Sequence, residues 1–201
     1  MKRNLILALC LALTAIGLTA QKNVDARIKQ IRQAYAARID MMNNQPYDDG
    51  IKVEQLTVNY NRMYPGTGLY QHTDTYYWTD DENEDYMLKP TLYFVTNKYS
   101  LCSGIYRYYH EYLFDAETGE PMFLFITTQM GDDETTKQEF RFYLDKGELI
   151  KQIPERIGPF ENSNFISPEI SLDNNGRAVN IISEFERVLN TFDMMIPTYA
   201  W

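Results

Sequence analysis

The sequence predicts an α+β fold: an N-terminal helix, an antiparallel meander of about seven strands, and a C-terminal helix packed on the sheet. Three observations carry this. Apolar residues recur at steps of three and four near both ends of the chain. Between Ile51 and Ile153 the period is two, and clusters of Gly, Pro, Asn and Asp interrupt it. Runs of strands flanked by helices, rather than alternating with them, mark an antiparallel sheet with helices on one face.

The opening residues, MKRNLILALCLALTAIGLTAQ, join a basic start (Lys2, Arg3) to an uncharged, mostly apolar run from Leu5 to Ala20. This pattern reads as a secretory signal peptide, residues 1–20, removed after Ala20. The run is 16 residues, shorter than the roughly 20 that span a bilayer. Residues 21–201 then form a single α+β domain, exported to the periplasm or secreted by a bacterial cell. Cys10 falls inside the apolar run, preceded by Leu9, and goes with the removed segment. Cys102 is left without an internal disulfide partner, so a packed core must hold the exported chain together.

The first helix of the domain follows Val24, Ile28, Ile31, Tyr35, Ile39 and Met42, with Lys29, Arg32, Gln33 and Arg38 off that line. NNQPYDDG, from Asn43 to Gly50, stops it. Strand patterns follow at residues 51–61, 69–79, 91–97, 104–115, 121–130, 138–145 and 148–153. The first has a phase slip between Val53 and Leu56 that predicts a bulge there. The last helix follows Ala178, Ile181, Phe185, Val188, Phe192 and Met195. Asn174 or Asn175 is its expected cap, and Pro197 stops it.

Two segments echo each other. EYLFDAETGEPMFLF begins at Glu111 and EFRFYLDKGELIKQI at Glu139, an offset of 28. The matched Gly119 and Gly147 fall where hairpin turns need a positive φ angle. Because the offset is even, Tyr112 and Phe114 share a side with Phe140, Phe142 and Leu144, which is read as the core side. Glu139, Arg141, Tyr143 and Asp145 define the opposite side, read as facing solvent. The echo is therefore two consecutive hairpins of one sheet.

EFRFYLDKGELIK resembles a pattern of secreted bacterial proteins of unknown function: aromatic-x-aromatic, a short spacer, then Gly-x-Leu-Ile-Lys. The helix-then-meander order resembles the cystatin-like and NTF2-like α+β folds. The resemblance implies a fold and brings no catalytic residue with it.

The chain has 19 basic and 28 acidic residues, a formal charge of −9, which becomes −11 without Lys2 and Arg3. Such a surface repels phosphate backbones and anionic lipids, so neither nucleic acid nor membrane-surface binding is expected, and the short apolar run leaves no membrane span expected. The 16 tyrosines and ten phenylalanines favour strands and broad contact surfaces. An aromatic ligand surface is expected from Tyr76, Tyr77 and Trp78 on one strand and Tyr106 and Tyr108 on another. His110 shares the core side with Tyr112 and is the one candidate general base. Cys102 stands eight residues from it with no thiol-hydrolase signature around it. Asp81, Asn83 and Asp85 offer alternating oxygens for calcium but lack the glycine and the closing glutamate of a calcium loop. No cofactor is expected. Two readings follow: an exported, non-enzymatic binding module for an envelope protein, glycan or small ligand, or a small hydrolase or isomerase with an NTF2-like cavity and His110 as base.

Overall fold

The computed structural model describes residues 2–43, 53–82, 88–157 and 169–195. The chain forms two compact units, residues 1–44 and 45–201. The first contains one helix, α1 (Lys2–Asn43), which includes both the apolar opening run and the predicted helix from Val24 to Met42. Among the described residues, no helix is long and apolar enough to cross a membrane.

The second unit is the predicted meander followed by a helix. Its strands are β1 (Val53–Tyr64), β2 (Gly68–Glu82), β3 (Leu88–Leu101), β4 (Tyr106–Phe114), β5 (Pro121–Met130), β6 (Gln138–Asp145) and β7 (Glu148–Ile153). They pair antiparallel in sequence order, each with the next. The predicted bulge in β1 is absent. Val53 to Tyr64 pairs with β2 in unbroken register, and the irregularity lies one strand further on. Tyr77 pairs with Phe94 and Trp78 with Leu92, which leaves Tyr93 as the extra residue. A one-residue insertion of this kind bends the strand and increases its twist.

Gly119 and Gly147 close the two echoed hairpins with φ angles of 71° and 74°. The turns differ in detail. The Asp115 carboxylate accepts the Glu117 and Thr118 amides at 2.9 and 3.0 Å in the first. In the second, Lys146 precedes Gly147, also at positive φ, 51°.

Helix α2 (Ile181–Met195) covers one face of the sheet. Its predicted apolar line is realised: Ile181, Phe185, Val188 and Phe192 are all buried. The Phe185 ring stands nearly perpendicular to those of Tyr112 and Phe114, with centroids 5.4 and 5.2 Å away. Edge-to-face packing of this kind suits the ring quadrupoles. Phe140, Phe142 and Leu144 join the same core, as the echo predicted. Asn174 and Asn175 do not cap α2. They belong to a turn in which the Asp173 carboxylate accepts the Asn175 and Arg177 amides at 2.8 and 2.9 Å. The helix begins only after Asn180. Gln152 of β7 ties the sheet to this turn. Its side chain donates to the carbonyls of Glu155 and Gly176 and accepts the Ala178 amide, at 3.0, 2.8 and 3.0 Å.

The opposite face is not uniformly wet. Tyr143, read as solvent-facing, is 2% exposed and packs on Phe123, 4.9 Å between centroids. Phe94, Leu113, Phe123 and Tyr143 pair in one row across β3 to β6, and all four are buried. Glu139 and Arg141 do face outward, paired with each other.

Candidate functional site

Along its strands, the face opposite α2 changes from apolar to polar. Two rows beyond the buried one, side chains from five strands line up: Asn59, Thr73, Lys98, Tyr109 and Thr127 are successive cross-strand partners. The next row is Asn61, Gln71, Ser100, Arg107 and Gln129. Each strand thus contributes a polar-x-polar pair, whose two members necessarily share a face. Five strands spaced about 4.8 Å apart make a surface about 19 Å across. These ten side chains line an open cleft of about 790 Å³. Ser103 borders it from the short 3-10 turn Cys102–Gly104, fixed because its hydroxyl accepts the Leu69 amide at 3.0 Å.

The cleft is rich in groups that both donate and accept. Thr73 donates to Asn59 Oδ1 at 2.8 Å, and Tyr109 donates to Glu111 at 2.7 Å. Its lining includes Lys98 and Arg107 and no carboxylate, in a chain whose acids outnumber its bases by nine. Arg107 donates to Asp132 at 2.5 Å, beside the cleft, with both side chains open to water.

The α2-covered face also runs past its helix into a polar cluster. Tyr70, His72 and Asp74 alternate along β2 and share this face. Tyr70 donates to His72 Nδ1 at 2.5 Å, and His72 Nε2–H donates to Asp74 at 2.6 Å. Asn97 also donates to Asp74, at 2.5 Å, which directs its amide nitrogen toward the carboxylate. His72 and Tyr108 stack on the two sides of Tyr99, at 5.6 and 4.7 Å, and the Tyr99 hydroxyl donates to Glu169. Burial pushes the Tyr70 and Tyr108 phenols up to about 12, so both hold their protons. The carboxylate-oriented histidine is therefore His72 and not the expected His110.

His110 lies deeper. It is 1% exposed, and its Nδ1 sits 3.0 Å from the Tyr112 hydroxyl. Burial keeps that phenol protonated, so it is the donor. His110 Nε2 and Asn97 Oδ1, on cross-strand partners, are both buried without a hydrogen-bond partner. Burial lowers the His110 pKa to about 4, and the ring is neutral at physiological pH. It lies outside the cleft lining.

The sequence-predicted aromatic surface is split up. Tyr76 and Trp78 lie under α2 against Phe192, with centroids 6.0 and 5.7 Å away, and are core. Tyr77 points to the other face, half-buried, 6.2 Å from Phe94. Tyr108 is buried against Tyr99 and is among the residues bordering the cleft, and Tyr106 is half-buried at the start of β4. Among the described residues, the exposed rings are instead Tyr60 and Tyr64 of β1, which pack edge-on to Tyr70. Cys102 is a half-buried free thiol. Asn83 and Asp85 lie outside the described residues, as does the Asp81 side chain. No cluster of three metal-ligating side chains occurs among the described residues.

Compared with known proteins, the chain matches no family model, no curated protein and no solved structure.

Proposed function

We propose that the chain is an exported, non-enzymatic binding module that seats an oligosaccharide across the two polar rows of its sheet. The observation carrying this is the cleft itself: ten hydrogen-bonding side chains from five strands, aligned in register on rigid β-structure. Hydroxyl and amide groups that both donate and accept suit a polyhydroxylated ligand, which needs many modest bonds rather than one strong one. A site on strands holds its groups in place before the ligand arrives, which lowers the ordering cost of binding. The export component rests on the basic start and apolar run of residues 1–20. A binding role also suits the position of His110, neutral and enclosed away from the cleft.

The test is calorimetric titration with soluble hexasaccharides, one neutral (maltohexaose) and one acidic (hexagalacturonate). Gln71→Ala and Thr73→Ala each remove cleft bonds worth about 0.5–1.5 kcal/mol, so each should weaken binding about two- to tenfold. Tyr64→Ala, on the other face, should leave it unchanged. Loss of binding with Tyr64→Ala, with both cleft variants binding normally, would refute the reading.

A further inference from the structure

We propose that the saccharide this cleft takes is an acidic one, held at a carboxylate by Lys98 and Arg107. This rests on the reading of the cleft as a saccharide site and adds its charge class. In the pairing of β3 and β4, Lys98 faces Tyr109 and Arg107 faces Ser100. The two cations are therefore diagonal neighbours, about 7–8 Å apart at the backbone, within reach of a common anion for side chains of this length. A planar guanidinium holds a carboxylate through two parallel bonds, and an ammonium adds a point charge beside it.

The local charges agree. Lys98 is exposed and makes no ion pair among the described residues. Arg107 already holds a carboxylate, that of Asp132, whose side chain is 89% exposed. An exposed pair of this kind is weak, so a ligand carboxylate can replace Asp132 at small cost. The nearest buried acid, Glu111, lies one row deeper and accepts the Tyr109 hydroxyl. Around the cleft, the uncharged amides and hydroxyls of Asn61, Gln71 and Thr73 remain for the sugar hydroxyls. Two cations among eight neutral groups fit a polymer with spaced charges. A densely charged polyphosphate would bring more negative charges than these two cations can match, against a net charge of −11 without Lys2 and Arg3.

The experiment compares three probes on the intact protein: hexagalacturonate, its fully methyl-esterified form, and maltohexaose. The acid should bind at least tenfold more tightly than its ester, and raising the salt from 50 to 500 mM should narrow that gap. Lys98→Gln and Arg107→Gln should each weaken the acid roughly tenfold or more, and by a clearly larger factor than they weaken maltohexaose, which loses at most a neutral hydrogen bond. Both positions are exposed, and unaltered thermal unfolding will show that each variant is folded. Equal affinity for acid and ester, or full affinity for the acid in both variants, would overturn the acidic assignment and leave the cleft reading standing. Failure of all three probes to bind would overturn both.

Discussion

Replacing Phe185 with alanine is expected to destabilise the second unit by about 3–5 kcal/mol, the usual cost of emptying a fully buried phenylalanine site. Phe185 is 0% exposed and sits at the centre of the α2 interface. Its ring meets Tyr112 and Phe114 edge-on. Those two rings belong to β4, a central strand, and cannot follow the retreating side chain without breaking their ladder to β3 and β5. The site therefore collapses poorly, which places the loss toward the upper end of the range. Urea unfolding measures it, with the slope against denaturant expected to stay constant. Met194→Ala, at a residue 77% exposed on the same helix, should cost less than about 0.5 kcal/mol. A Phe185→Ala loss below about 1 kcal/mol would mean that α2 does not seal this face.

The second large effect is on pH dependence. In the unfolded chain the His110 ring takes a proton below about pH 6.5. In the fold that pKa is lowered to about 4, mainly by burial, with Glu169 and Asp74 opposing the shift and Arg187 and His72 adding to it. Between these values the unfolded state holds more protons, so acid favours unfolding. The contribution of His110 is fully present above pH 6.5, falls as pH drops to about 4, and is flat below that. Its full span is roughly 3 kcal/mol. Carboxylates titrate in the lower part of this window too, so the quantity to measure is the stability difference between the protein and His110→Gln at pH 7.5 and at pH 4.5. It should shift toward the variant by about 2–3 kcal/mol on acidification. A difference independent of pH would show that the ring is not held neutral.

These two residues show how far the sequence could be read. Phe185 is on the helix-period line, and Tyr112 and Phe114 match Phe140 and Phe142 across the echo, so their meeting was legible from spacing alone. Tyr143 was misassigned because its neighbours Glu139 and Arg141 are charged. Alternation tells which residues share a side, but not where along that side water begins. The bulge at Tyr93 was hidden because Leu92, Tyr93, Phe94 and Val95 form one unbroken apolar run, with no polar residue to mark the change of phase. Tyr76 and Trp78 look like an aromatic platform in sequence. Only the position of α2 decides that they are beneath it.

The site was half legible. Asn59-x-Asn61, Gln71-x-Thr73, Arg107-x-Tyr109 and Thr127-x-Gln129 are each visible as polar pairs on predicted strands, whereas Lys98-x-Ser100 lies past the predicted strand end at Asn97 and joins the rows only because β3 runs on to Leu101. What strand patterns lack is register, and register is what lines ten ordinary surface residues into two rows. Tyr70, His72 and Asp74 were also readable as one face of a strand. Asn97, from the next strand, joins them only through pairing.

The central claim is that saccharides bind on the polar rows and nowhere else on the sheet. Side-chain amide signals test it most directly, because asparagines and glutamines are found on both faces. In a titration with hexagalacturonate followed by ¹⁵N-resolved NMR, the NH₂ signals of Asn59, Asn61, Gln71 and Gln129 should shift together, while those of Asn97 and Gln152 stay fixed. Movement of Asn97 with the cleft amides unmoved would place the ligand on the opposite face and contradict the account.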